Sequence, residues 1–269
     1  MFDRENQTCM IINIPHRFLF IVVFLCSIHL LHAQKIRVLT YNIHHGEDVN
    51  GKLDLQPIAS VINKVSPDVV ALQEVDSATN RTKKVDQLKE LAALTGMNFF
   101  YGKSMDYDGG GYGVGILTRL PVMDSFVTRL PNFSKSEPRV AATVELELNN
   151  KKRFLFSAIH LDNVKDPAER MEQAKRVQEV FAQKHMPSIL AGDFNAQPDE
   201  ATMKNIIFQL YEETDPTGQS LTFPSNQPTV KIDYVLVCKK HLWKKKSYKI
   251  IEEKIASDHR PVLSVVQLK

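Results

Sequence analysis

Two β-sheets packed face to face with helices outside them, an α/β fold, is what this sequence predicts, on three observations. Short β-rich runs bounded by turn residues recur from residue 35 to residue 267, amphipathic helices are few, and hairpin-length connections alternate with helix-length crossovers. Mixed connections give mixed sheets. Polar residues then collect where strand ends converge at one edge of the sandwich.

The first segment stands outside that fold. Residues 18–31 are apolar except for Ser27 and His29, with Arg17 before them and Leu31-His32-Ala33, a small-residue cleavage pattern, ahead of Gln34. A membrane span needs roughly 20 apolar residues, so 1–33 is expected to be a secretory signal peptide that sends the protein out of the cell or into the periplasm. Asp3 and Glu5 are unusual in such a leader, and Met10 is an alternative start. An uncleaved anchor is the competing reading; lipidation at Cys26 is disfavoured by the bulky Leu25 before it. Residues 34–269 form a single expected domain. Cys238 is its one cysteine, so no internal disulfide is available and stability must come from the core. The net charge is +3 for the whole chain and unchanged without the leader, too mild to imply a polyanionic partner. A monomer is expected.

The elements follow in order. A strand over 35–41 is followed by a helix over 55–65, and Pro67-Asp68 turns the chain into a strand over 69–73. The helix at 87–94 closes on Gly96. Strands are expected at 98–101, 113–118, 122–130, 139–148 and 154–160, with Asn149-Asn150 turning the chain between the last two. The glycine-rich stretch 106–115 lacks the pattern of a nucleotide-binding loop and is expected to be a mobile rim. The clearest helix starts at Asp166, with Pro167 in its first position, Glu169 to complete a capping box, and Met171, Ala174, Val177 and Phe181 as the buried stripe. Strands at 188–191, 232–237, 248–251 and 262–267 complete the chain.

The residues suited to chemistry sit at strand ends. In Ser-Ile-Leu-Ala-Gly-Asp-Phe-Asn (188–195) an apolar strand breaks into a turn that sends Asp193 and Asn195 to the same side. The carboxylate can move a proton; the amide can hold an oxygen. Glu74 follows the buried-type run 69–73, where a carboxylate is costly to desolvate unless paired. With Asn42 and Asp258 it would supply the oxygen shell that Mg²⁺ prefers. His259 can accept a proton from water if a carboxylate such as Asp233 fixes its tautomer, and His160 can donate to charge developing on phosphate oxygens. Arg139 suits an oxyanion through its planar fork, or a rim ion pair. Any one of these taken alone is adequately explained as a solvated acid or a turn-capping histidine. Five such sites together are not.

The set resembles the endonuclease/exonuclease/phosphatase superfamily, which includes DNase I, repair nucleases, neutral sphingomyelinases and inositol polyphosphate phosphatases. The matching motifs are Thr40-Tyr41-Asn42, Leu72-Gln73-Glu74, His160-Leu161-Asp162, Gly192-Asp193-Phe194-Asn195, Ile232-Asp233-Tyr234 and Ser257-Asp258-His259-Arg260-Pro261, in the family's order. The resemblance implies a four-layer α-β-β-α sandwich of largely antiparallel sheets and metal-dependent phosphoester cleavage. Glu74 and Asn42 would hold Mg²⁺, or Mn²⁺ as a substitute, with Asp258 nearby. His259 paired with Asp233 would activate water, and Asp193 would orient the nucleophile or serve the leaving group. Asn195 and His160 would hold the phosphate, with Arg139 as a further contact. Whether His259 or Asp193 takes the proton stays open, with His259 favoured. One departure is His44-His45-Gly46, where the repair nucleases carry an acid two residues after the asparagine; it points away from DNA repair and towards secreted bacterial members.

The leading expectation is therefore a secreted phosphodiesterase acting on a phospholipid head group or a similar diester. An extracellular nuclease is the alternative, and a non-catalytic polyanion-binding module is the reading from another class. Lys239-Lys240 and Lys244 to Lys246 around Trp243 could grip nucleic acid, but lysines there are better explained as protection of an edge hairpin.

Overall fold

A computed structural model describes residues 34–133 and 135–269; the expected signal peptide lies outside the described residues. The chain runs β1 (Lys35–Asn42), α1 (Leu55–Val65), β2 (Val69–Ser77), α2 (Gln87–Thr95), β3 (Asn98–Tyr107), β4 (Gly110–Thr118), β5 (Val122–Arg129) and β6 (Val140–Glu147). It continues through β7 (Arg153–His160), α3 (Ala168–Lys184), β8 (Ser188–Asp193), β9 (Tyr211–Glu213), β10 (Asp233–Cys238), β11 (Trp243–Ile250) and β12 (Val262–Leu268). The strands form two six-stranded sheets, ordered β11-β12-β1-β2-β4-β3 and β5-β6-β7-β8-β10-β9.

Each sheet contains one parallel pair joined by a helical crossover, β1-α1-β2 in the first and β7-α3-β8 in the second, and is otherwise antiparallel. The two parallel pairs face each other, β1 against β8 and β2 against β7. Their carboxyl ends therefore meet at one edge, the place where α/β sheets present residues to ligands. In register, Asn42 lies beside Gln73, His160 beside Asp193, and Asp193 beside Asp233.

The layers follow from strand alternation. In β1, Ile36 and Val38 join the large core between the sheets, whereas Leu39 and Tyr41 turn outwards to pack with Ile58 and Ile62 of α1 and Leu88 and Leu91 of α2. α3 buries Ala174, Val177 and Phe181, with Met171 packed at the margin. Full burial of each such large side chain is worth about 1.5–3 kcal/mol. Asp54 caps α1 by accepting from Gln56 N, Asp86 caps α2 by accepting from Lys89 N, and Gly96 ends α2 at φ 62°.

Three expectations need correction, and one segment had none. β2 runs on to Ser77, so Glu74 lies within the strand rather than after it. The glycine-rich stretch is no mobile rim but a β3-β4 hairpin turning at Asp108-Gly109; its glycines let backbones approach, since a Cβ on Gly113 would meet Gly102 O at 2.1 Å. Glu169 turns its carboxylate to Phe133 N and Ser136 Oγ, tying α3 to a loop instead of completing a capping box. A π-helical turn Thr202–Ile207 leading into Phe208–Leu210 and the short β9 had no expectation, although Met203, Ile206 and Ile207 are buried.

Gly192 is required for packing. A Cβ there would lie 1.9 Å from Ile159 O on the adjacent strand. Gly192→Ala is expected to destabilise the protein by at least about 2 kcal/mol, because backbone, not a flexible side chain, is in the way. Denaturant unfolding of wild type and variant measures this; equal midpoints would refute it.

Candidate active site

The first sheet supplies Asn42 and Glu74. In phase with Val70 and Leu72, residue 74 would face the helical layer and bury its carboxylate among apolar side chains. A β-bulge prevents this: the β2-β4 register shifts between Leu72 and Val75, and Glu74 takes φ 57°. The bulge re-aims the carboxylate to the sheet edge, where Asn42 Nδ2 donates to Glu74 Oε1 at 3.0 Å and to Asp193 Oδ2 at 3.2 Å. Asn42 Oδ1 accepts from His44 N at 3.0 Å. Asn42 is thus the clip that joins the carboxylates of the two sheets.

The second sheet supplies the rest. Asp193 Oδ2 lies 3.6 Å from His160 Nε2 and 3.7 Å from His259 Nε2, and its Oδ1 accepts from Asn195 N at 2.9 Å. Asn195, at φ 46°, anchors its amide to Leu161 O. Asp233 opens β10, and its Oδ2 lies 3.0 Å from His259 Nδ1. Phe223 packs its ring 4.7 Å from the His259 imidazole. Ser257 Oγ donates to Asn42 O at 2.7 Å, which fastens the 257–261 loop to β1. Asp258 meets Ser257 Oγ at 3.4 Å and belongs to neither acid–histidine cluster of the described residues.

Arg139, expected as a phosphate contact or as one partner of an ion pair, has both kinds of neighbour here. It is buried, with Nη1 2.9 Å from His160 Nδ1 and 2.5 Å from Glu137 Oε1. A guanidinium only donates, so His160 Nδ1 is the acceptor and Nε2 carries the proton towards Asp193. Burial, then the Arg139 charge, hold His160 well below the usual imidazole range, which keeps it neutral.

Electrostatics separate the other groups. Burial pushes Asp193 up to about 7, and the Asp233 charge adds to the rise. For His259 burial opposes the charged form, but the Asp233 charge and hydrogen bond, with Asp193 and Asp258 behind them, raise it to about 10. Burial also works against the Glu74 carboxylate; the nearby His45 ring, the Asn42 hydrogen bond and the His259 charge overcome it, and Glu74 is held well below the carboxylate range. An ionised Glu74 beside the buried, unpartnered Nδ1 of His45 at 4.0 Å suits a divalent cation.

Sequence reasoning missed several neighbours. With the expected Arg139, the unexpected His44, His45, Arg81, Tyr107, Tyr112 and Glu137 line a polar cleft of about 260 Å³ beside Glu74. Arg81 binds Asp76 through two nitrogens at 2.7 and 2.8 Å and stacks 4.6 Å over Tyr107. The His44-His45 pair next to Asn42 was the legible signal; the Arg81–Asp76–Tyr107 assembly depends on the hairpin and left none.

Residues 39–259 match the profile of the endonuclease/exonuclease/phosphatase family. The chain belongs to that family. Its members are phosphoester hydrolases, and the two six-stranded sheets form the family's DNase I-like sandwich. No curated protein matches the chain. Among solved structures, a family protein from Bacteroides thetaiotaomicron has 18% identity, covers 88% of this chain and 96% of its own, and superposes with a TM-score of 0.75. A mannosyl-6-phosphatase of the same organism has 18% identity, coverages of 87% and 99%, and a TM-score of 0.72. The human Nocturnin catalytic domain with bound sulfate has 22% identity, coverages of 89% and 95%, and a TM-score of 0.67. At these identities the likeness carries the fold alone.

Proposed function

We propose that the protein is an exported, divalent-metal-dependent hydrolase of small phosphodiesters, with phospholipid head groups as the leading substrate class. The observation that carries this is the meeting of an ionised carboxylate, two further carboxylates and two histidines within hydrogen-bonding networks at one edge of the paired sheets. A binding module has no use for a buried acid–histidine pair. Glu74 would hold the cation, which when bound would neutralise phosphoryl charge and polarise the phosphorus. Mg²⁺ is the sequence-based expectation for it, with Mn²⁺ as substitute. Neutral His160 donates through Nε2 to a phosphoryl oxygen, and Asn195 fixes Asp193.

The proton roles are divided by the electrostatics. His259 already holds a proton through Asp233, so it serves as a charged stabiliser of the phosphoryl group. Asp193, near neutral in its titration, takes the proton of water. This reverses the preference for His259 drawn from sequence. A panel of phosphodiesters and monoesters, assayed with and without chelator, tests the function. Full turnover in chelator, or turnover of monoesters alone, would refute the diesterase reading.

The lysine-rich segment supports a diesterase over a nuclease. β11 is the edge strand of its sheet, with Lys244, Lys245 and Lys246 exposed; Lys244 and Lys245 pair with the far end of β12 and Lys246 lies at a bulge beside them. They lie on the order of 15 Å along the strand from its site-proximal end. Lysines on an open edge discourage strand addition by another chain. Replacing all three with Ser is expected to change small-diester turnover by less than about twofold and to leave DNA affinity weak. Sub-micromolar DNA binding at physiological salt, lost in the triple variant, would favour the nuclease instead.

A further inference from the structure

The residues around Glu74 point to a different metal from the one the sequence suggests. Glu74 is accompanied by two adjacent imidazoles, and one ligand atom each from His44, His45 and Glu74 lies within 4.8 Å of the others. A cation about 2 Å from each would draw them to within about 4 Å of one another. His45 Nδ1 is buried, has no hydrogen-bond partner, and stands 4.0 Å from Glu74 Oε2. A buried ring nitrogen left without a partner is expensive, and a cation shared with Glu74 would satisfy it.

Glu47 prepares both rings for this. Its carboxylate Oε2 lies 3.6 Å from His45 Nε2, and its backbone oxygen lies 3.2 Å from His44 Nδ1. The carbonyl takes the His44 Nδ1 hydrogen and leaves Nε2 a lone pair, and the nearby Glu47 carboxylate favours the tautomer with its hydrogen on His45 Nε2, leaving Nδ1 free. A carboxylate or carbonyl behind each imidazole is the usual support of a metal-binding histidine, orienting the ring and fixing its tautomer. Imidazole nitrogen suits borderline transition cations, whereas Mg²⁺ seeks oxygen and retains its water.

We propose that His44, His45 and Glu74 form one nitrogen–oxygen centre, supported by Glu47, that takes a borderline transition cation of the Zn²⁺ class in preference to Mg²⁺. The proposal rests on the reading that Glu74 holds the cation and deepens it by naming the cation class. Most nitrogen–oxygen sites bind Zn²⁺ more tightly than Mg²⁺, so the decisive quantity is how far that preference depends on the imidazoles.

The test is calorimetric titration of the chelator-stripped full chain with Zn²⁺, Mn²⁺ and Mg²⁺, on wild type and on His44→Asn, His45→Asn, Glu47→Gln and Glu74→Gln. Asn suits positions 44 and 45 because both are left-handed, at φ 45° and 42°, a conformation Asn tolerates; circular dichroism checks the fold. Each Asn variant is expected to weaken Zn²⁺ binding at least about tenfold while Mg²⁺ and Mn²⁺ affinities stay within about threefold. Glu47→Gln touches no proposed ligand bond, so it tests the same centre if an Asn variant fails to fold, and it should weaken Zn²⁺ about tenfold. If these three variants leave Zn²⁺ affinity unchanged while Glu74→Gln abolishes binding, the imidazole centre is wrong and the Glu74 reading survives. If Glu74→Gln binds all three cations like wild type, both fall.

Discussion

Glu74→Gln lowers kcat on any accepted phosphodiester by about 10³-fold or more while the protein stays folded. The substitution keeps side-chain length and hydrogen-bonding capacity at the β2 bulge but removes the charge that neighbouring donors hold in ionised form. Loss of one preorganised electrostatic contact to the reacting group commonly costs about 10²–10³-fold, and loss of a metal ligand adds to it. The conserved length also keeps contact with Asn42, so the clip between the two sheets persists. Steady-state kinetics across divalent-cation concentrations, with thermal unfolding as the folding control, measure the effect. A folded variant within tenfold of wild type would remove Glu74 from the metal role.

The second large effect is a pair of losses with opposite pH signatures. Asp193→Asn and His259→Ala are each expected to reduce kcat by about 10²–10⁴-fold. Asp193, raised to about 7, is protonated below that pH and unable to accept from water, so wild-type activity rises as pH passes upwards through about 7. His259, raised to about 10, is charged below that pH, so activity declines as pH passes upwards through about 10. The residual activity of Asp193→Asn should lose the acidic limb, and that of His259→Ala the basic one. In Asp233→Asn the histidine loses the carboxylate beside its Nδ1, and the basic limb should move to lower pH. If His259 were the base, activity would rise through about 10 with no decline, and Asp193→Asn would retain that rise. The pH profile of kcat for the four proteins distinguishes the two assignments.

Much of the fold could be read locally. The caps at Asp54 and Asp86, the closing Gly96 and the buried stripe of α3 are recorded within a few residues of where they act. The glycine-rich hairpin was misread for the converse reason. Glycine clusters resemble a mobile loop in sequence, yet here Gly113 and its neighbours allow close approach to a strand that the sequence does not identify. The absent capping box is similar: Glu169 found stronger use at Phe133 and Ser136, more than 30 positions away.

The sequence by itself determined the class of the fold, the family motifs and the residue types at the site, because strand periodicity, turn chemistry and motif order are properties of short segments. Only the tertiary structure decided what those residues do. The bulge that swings Glu74 from the helical layer to the sheet edge arises from pairing with β4. The clip from Asn42 to Asp193 joins residues 151 positions apart. Burial and the Asp233 charge raise Asp193, the Asp233 charge raises His259 against the effect of burial, and the Glu47 backbone oxygen orients His44. Protonation and ring orientation follow from desolvation and from charges at a few ångströms, and those distances exist only once the two sheets have packed.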